Sequence, residues 1–199
     1  GPNGHGKTTL LRALSGLLPV SGGDVEFLGE RLNGRSAASI VGRGLVHIPQ
    51  GDLLFVDLSV EQNLFMGAYL KEAWKKRHER IRRVYELFPR LEERRTQQAR
   101  TLSGGERRML GIGRGLMSQA KLLMVDEPAL GLAPVLVQEV YSTLDRIARS
   151  EATVLLAEET LANARGMADY VYLMDTGRIV HEGTMAEIGA EALTSTYLG

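Results

Sequence analysis

The chain of 199 residues contains no cysteine. Disulfide bonds and thiolate metal sites are therefore excluded, and a reducing compartment is favoured. No apolar run approaches the roughly 20 residues of a membrane-spanning helix, and no signal peptide is visible. The 24 Lys and Arg residues balance 24 Asp and Glu residues, so bulk electrostatics do not favour nucleic-acid binding. A hydrophobic content of 44% is typical of a soluble globular domain with a sizeable core.

The charges are distributed unevenly along the chain. Between Lys71 and Arg100 there are eleven Lys and Arg residues against five Asp and Glu residues. This pattern indicates either a solvated helical face or a surface that meets anionic lipid or an acidic segment of a partner.

A glycine-rich loop stands at the start of the sequence and fits the pattern G-x-x-x-x-G-K-[ST]. In such a loop, backbone N–H groups surround nucleotide phosphates, the lysine contacts the outer phosphates, and the hydroxyl helps to hold Mg²⁺. We expect a buried strand before the loop, and hence N-terminal core strands outside this sequence. A ninth position, Thr9, is a candidate contact to an inner phosphate. The loop residues are Gly1, Pro2, Asn3, Gly4, His5, Gly6, Lys7 and Thr8.

Hydrophobic patterns and helix signals predict alternating strands and helices at both ends of the chain. A parallel sheet with right-handed crossovers is therefore expected. The predicted strands are a short pair within 24–32, then 45–48, 122–125 and 153–157, and a hairpin over 170–181. The predicted helices cover 7–18, 59–70, 75–88, 102–117, 134–149 and 161–168.

The middle of the chain is predicted to be helical and basic. We therefore divide the sequence into a first core part (1–58), a helical segment (59–118) and a second core part (119–199). A capping box at Ser59 and Gln62 favours a helix start at the first boundary.

Two acids follow the predicted strand 122–125. Asp126 and Glu127 would lie at the carboxyl edge of a parallel sheet, where α/β folds bind ligands. We expect Asp126 to hold Mg²⁺ and Glu127 to act as general base toward the attacking water. The alternative is a pair of solvated acids at a strand end.

A second candidate anion site is formed by Ser103, Gly104 and Gly105 at the start of a predicted helix. A hydroxyl, free N–H groups and the helix dipole all favour an anion there.

The three motifs in this order resemble the nucleotide-binding subunit of ABC transporters, and the resemblance covers the whole chain. Several stretches are similar to the second ATPase subunit of branched-chain amino acid importers. These stretches are 84–91, 102–106, 126–134 and 197–199. The resemblance implies a P-loop NTPase fold with a RecA-like core of parallel and mixed strands and a helical insertion.

The resemblance further implies a cycle of ATP binding and hydrolysis with Mg²⁺. Two subunits would pair head to tail, so that ATP lies between the loop of one and Ser103 to Gly105 of the other. Gln50 would sense Mg²⁺ and the attacking water. The subunit would lie peripherally on the cytoplasmic side of the inner membrane, against permease subunits served by a periplasmic substrate-binding protein.

Two positions depart from the superfamily pattern. Glu159 stands where most members have a histidine that contacts the γ-phosphate, and Ala133 stands where many have aspartate. Glu159 either lies near the γ-phosphate or caps a helix and points away. An adenine-stacking residue cannot be assigned.

Four functions follow from these patterns. The first is an ATPase that drives import of branched-chain or other hydrophobic amino acids, and the second is the same ATPase with another cargo, such as urea or lipopolysaccharide. The others are a non-transport ABC ATPase and an inactive nucleotide-binding regulator, the last suggested by Glu159.

Overall fold

The computed structural model describes residues 1–51 and 53–188. The strands are β1 (Glu26–Phe27), β2 (Glu30–Arg31), β3 (Leu45–Ile48), β4 (Leu122–Asp126), β5 (Thr153–Ala157), β6 (Tyr170–Asp175) and β7 (Arg178–Thr184). The helices are α1 (Lys7–Leu14), α2 (Ala37–Val41), α3 (Val60–Gly67), α4 (Lys71–Lys75), α5 (Arg77–Leu87), α6 (Pro89–Glu93), α7 (Gly104–Leu116) and α8 (Pro134–Ser150).

The centre of the fold is a parallel sheet of three strands in the order β3, β4, β5. Strand β4 is buried because helices cover both faces of the sheet, and its residues are accordingly apolar on both faces. The pairs β1–β2 and β6–β7 are antiparallel. The predicted α/β class with a parallel sheet is therefore confirmed.

The two faces of the sheet pack against different helices. One face, which includes Leu45 and Met124, packs with Leu11 of α1 and Ile40 of α2. The other face belongs to a larger apolar cluster that reaches α3, α5, α6, α7 and α8. Gly115 permits the close approach of α7, since a Cβ there would lie 3.0 Å from Ile48 Cδ1.

Helices α3 to α7 all lie between β3 and β4 in the chain. The predicted capping box is confirmed, because Ser59 Oγ accepts from the Gln62 N–H and the Gln62 side chain accepts from the Ser59 N–H. No helix in the part of the chain that the structure describes is both long and apolar enough to span a membrane.

The first helix is shorter than predicted, because it ends at Leu14 instead of Leu18. Gly16 has a φ of 72°, and the Leu17 N–H donates to the Arg12 carbonyl at 2.8 Å. This left-handed C-terminal turn carries the chain away from the helix axis. Leu17 is therefore 58% exposed and does not share the buried face of Leu11.

Three further helix predictions need correction. The helix expected over 161–168 is wrong, because the segment forms separate turns and Gly166 has a left-handed φ of 92°. The helix expected over 75–88 is α5, which begins two residues later, at Arg77, and the separate short helix α4 that precedes it was not predicted. The helix expected to reach Leu70 ends at Gly67. The segment 197–199 lies outside the described residues.

Candidate functional site

The glycine-rich loop leads directly into α1, as the sequence predicts. Gly4 and Gly6 have φ angles of 81° and 99°, which residues with a side chain adopt rarely. Gly6 is the N-cap of α1 and provides no capping side chain, so the first-turn N–H groups have no side-chain cap. Such a terminus suits an anion. Thr8 is half-buried in this turn and Thr9 is exposed.

The Lys7 ammonium lies inside the loop that precedes it. Its Nζ donates to the carbonyls of Gly1 at 2.6 Å and Pro2 at 2.9 Å. The same Nζ lies 3.3 Å from Glu127 Oε1, and both side chains are more than nine-tenths buried. The structure thus brings the loop lysine and the predicted general base into one ion pair.

Glu127 lies immediately beyond β4, at the carboxyl edge of the sheet. Its φ of 43° is uncommon for a residue other than glycine. Its N–H donates to the Ala157 carbonyl at 3.0 Å, which fixes this backbone against the end of β5. Its Oε2 accepts a hydrogen bond from Gln50 Nε2 at 3.2 Å. Lys7, Gln50 and Glu127 therefore meet, although they lie far apart in the sequence.

Asp126 is fully buried at the end of β4. Neither of its carboxylate oxygens has a hydrogen-bond partner within the described residues. A buried, unpartnered carboxylate is costly, and a cation would satisfy it. The described residues contain no cluster of three or more His, Cys, Asp and Glu side chains suited to a metal ion. Few protein carboxylates are typical of Mg²⁺ sites, in which phosphate oxygens and water complete the shell.

His47 lies on the same face of the sheet as Asp126, and no sequence pattern singles it out. Its Nδ1 lies 3.2 Å from Ser15 Oγ, so it joins β3 to the end of α1. Burial lowers the pKa of His47, and the Asp126 carboxylate opposes this shift. The position between the sheet and α1 therefore disfavours the protonated form of His47.

A second polar contact lies beside the site, between α8 and the end of β5. The Tyr141 hydroxyl donates to Glu158 Oε1. Burial raises the pKa of Glu158, the Tyr141 hydrogen bond opposes this rise, and the charge of Glu127 adds to it. Burial likewise raises the pKa of Tyr141. Nothing in the sequence signals this contact, because it depends on how α8 packs on β5.

The raised pKa of Glu158 predicts a pH-dependent cost to stability. The pKa of Glu158 is higher in the folded protein than its value of 4.5 in the unfolded chain, so the unfolded chain releases this proton at a lower pH. The folded state therefore loses stability as pH rises above 4.5. We expect Glu158→Gln, which keeps an acceptor oxygen for Tyr141, to raise the unfolding temperature more at pH 8 than at pH 5. Thermal unfolding at both values checks this, with the exposed Glu139→Gln as control. An equal effect at both values would contradict it.

Glu159 reaches the phosphate loop. Its Oε2 accepts a hydrogen bond from Asn3 Nδ2 at 3.2 Å. The alternative of a helix-capping acid that points away is wrong, because the following segment forms turns and the side chain contacts the loop.

Ser103, Gly104 and Gly105 lie at the start of α7. Ser103 Oγ accepts from the Glu106 N–H, and Glu106 Oε2 accepts from the Ser103 N–H, which completes a capping box. Gly105 packs closely on α8, since a Cβ there would lie 3.0 Å from Leu136. Within the described residues, no hydrogen bond is seen between these three residues and the phosphate loop.

A glycine-rich loop that opens a helix, beside two acids at the carboxyl edge of a parallel sheet, defines a P-loop nucleotide hydrolase. The sequence pattern of the family described as ABC transporter matches residues 1–130. The chain belongs to the ABC transporter family, and its catalytic class is that of the family's ATPases.

Two curated relatives cover nearly the whole chain. The high-affinity branched-chain amino acid transport ATP-binding protein BraG of Pseudomonas aeruginosa is 41% identical over 205 aligned residues, which cover 100% of this chain and 85% of BraG. The probable branched-chain amino acid transport ATP-binding protein LivF of Archaeoglobus fulgidus is 35% identical, with 94% of this chain and 80% of that protein covered.

A solved structure shows the same fold. It is an ATP-binding cassette of an ABC transporter in its ADP conformation, and it superposes with a TM-score of 0.85 at 26% identity. The superposition covers 100% of this chain and 85% of that chain.

Proposed function

We propose that this chain is the ATP-binding and ATP-hydrolysing subunit of an importer for branched-chain or other hydrophobic amino acids. The contact of Lys7, Gln50 and Glu127 at the sheet edge carries the ATPase part of this proposal. The similarity to BraG along the whole chain supports the amino acid cargo.

The phosphate loop binds the β- and γ-phosphates in this proposal. Its backbone N–H groups and the uncapped first turn of α1 face the anion, and Lys7 exchanges its internal acceptors for phosphate oxygens. The buried position of Lys7 strengthens that attraction, because little water screens it.

Glu127 accepts the proton of the attacking water as general base. Gln50 holds one Glu127 oxygen by a hydrogen bond and leaves the other toward Lys7. When phosphate draws Lys7 away, the Oε1 atom becomes available to the water.

The residues around Asp126 fit Mg²⁺. Asp126, the Thr8 hydroxyl and Gln50 would hold the ion, whose charge neutralises the phosphate oxygens during transfer. The unpartnered oxygens of Asp126 support this assignment.

The site is completed by a second subunit in this proposal. Ser103, Gly104 and Gly105 bind the γ-phosphate of ATP held on the loop of the partner, head to tail. Among the described residues they make no hydrogen bond to the loop of their own chain, and this supports an intermolecular role, as does the N-terminus of α7.

The membrane permease contacts the helical segment 59–118 near Gln50. Several large apolar side chains after Gln50, on α3 and just beyond α3 are exposed, and in this proposal they meet the permease. These residues are Leu53, Phe55, Val56, Met66 and Tyr69. The subunit would thus lie peripherally on the cytoplasmic face of the membrane, with the periplasmic binding protein acting through the permease.

Uptake measurements test the cargo. We expect cells that lack this subunit to lose import of labelled leucine, isoleucine and valine, and the full-length gene to restore it. A Glu127→Gln copy should fail to restore import, whereas the surface variant Glu139→Gln should succeed. Normal branched-chain import in the deleted cells, with loss of urea import or lipopolysaccharide transport, would contradict the cargo and leave the ATPase assignment standing.

A further inference from the structure

The turn between β6 and β7 lies directly against the phosphate loop. The His5 carbonyl accepts a hydrogen bond from the Gly177 N–H at 3.0 Å. The His5 ring contacts the same turn, with Nδ1 at 2.7 Å from Asp175 Oδ1 and 3.2 Å from the Thr176 nitrogen. His5 therefore contacts the turn through both its backbone and its side chain.

The two partners of the His5 Nδ1 atom are a hydrogen-bond acceptor, Asp175, and a hydrogen-bond donor, the Thr176 N–H. A protonated Nδ1 donates to the Asp175 carboxylate, and an unprotonated Nδ1 accepts from the Thr176 N–H. A hydrogen bond between the ring and the turn is therefore available in either state. The imidazole is only 30% exposed, and this limits competition from water.

The turn itself is strained and tightly seated. Thr176 has a φ of 45°, which is rare for a β-branched residue, and its Oγ1 donates to Asp175 Oδ1 at 3.0 Å. Beneath it, a Cβ on Gly6 would lie 3.1 Å from Met174 Cε. The loop therefore has little room to shift without moving the turn, and Gly6 directly precedes Lys7.

We propose that His5 is a positioning residue that clamps the phosphate loop to the β6–β7 turn through Asp175 and Thr176. The clamp holds the loop in the shape that receives phosphate before ATP arrives, which lowers the ordering cost of binding. It does not touch the atoms that react. Loss of the clamp should therefore weaken ATP binding and leave the chemical step nearly unchanged.

Steady-state kinetics of the full-length transporter complex test this inference. We expect His5→Ala to raise KM for MgATP about tenfold, the effect of one hydrogen bond to a charged group, with kcat within about twofold. Asp175→Ala should raise KM by a smaller factor, because the Thr176 N–H can still donate to Nδ1. Asp175→Asn should stay near wild type, because its amide oxygen still accepts from the ring.

The double variant His5→Ala with Asp175→Ala should be little worse than His5→Ala alone, because the ring that Asp175 contacts is already absent. Glu182→Ala is the control, since this acid is exposed on β7. An unchanged KM in His5→Ala, or additive effects in the double variant, would overturn the clamp. If His5→Ala fails to fold, Asp175→Ala is compared with Asp175→Asn instead. Equal KM values for these two variants would overturn the clamp.

The inference rests on nucleotide binding at this loop, and the two can fail separately. Absence of ATP binding by the wild-type complex would refute the proposed function. Normal binding by wild type and by both clamp variants would refute only the clamp.

Discussion

Glu127→Gln is expected to reduce ATP turnover by about 10²–10⁴-fold, because the amide cannot accept the proton of the attacking water. Binding should survive or tighten, since the change removes the carboxylate that pairs with Lys7 at 3.3 Å. Phosphate release measured beside equilibrium ATP binding separates the two effects. In the head-to-tail arrangement, the variant should also accumulate as an ATP-dependent dimer, which gel filtration detects.

Glu139→Gln provides the matched control for this experiment, because it makes the same chemical change on the exposed face of α8. Its turnover should equal that of wild type. Retention of normal hydrolysis by Glu127→Gln in the full-length protein would remove Glu127 as general base. A loss of ATP binding instead would assign the residue to the architecture of the loop.

Gly67→Ala is expected to give the largest loss of stability. A Cβ at this position would lie 2.0 Å from the backbone oxygen of Arg114, so α3 and α7 would have to separate. Backbone cannot move aside as a flexible side chain can, so we expect a loss of at least about 2 kcal/mol in the free energy of unfolding. Denaturant titration measures it.

The neighbouring Met66→Ala is the control, because Met66 is 46% exposed on the same helix. Its effect should stay within about 0.5 kcal/mol. Equal stability of Gly67→Ala and wild type would show that α3 and α7 can separate at little cost. Reduced ATP turnover should accompany the loss of stability, because α7 begins at the residues proposed to bind ATP across the dimer.

The sequence predicts those parts of the fold that depend on local signals. The strands at Leu45 and Thr153 and the capping box at Ser59 follow from short-range patterns, and the structure contains them. The loop pattern and the strand-end acids also single out Lys7 and Glu127, which the structure brings into contact. Helices were less predictable, since Gly16 ends α1 where leucine spacing would continue it, and the segment that contains Gly166 forms turns in place of the expected helix.

The remaining features depend on tertiary packing. The partnership of Tyr141 with Glu158 arises where α8 meets β5, and that of His5 with Asp175 arises where the hairpin meets the loop. Their sequence positions carry no shared pattern. The contact of Glu159 with Asn3 likewise joins residues that are far apart in the sequence.

The internal contacts of Lys7 make ATP capture an exchange of partners. Two carbonyls and one carboxylate already surround the ammonium, so an incoming phosphate gains only the difference between its own attraction and theirs. Measured affinity therefore reports a competition within the protein as well as the strength of the nucleotide contact. It also follows that the base and the loop restrain each other until a sufficiently anionic ligand separates them.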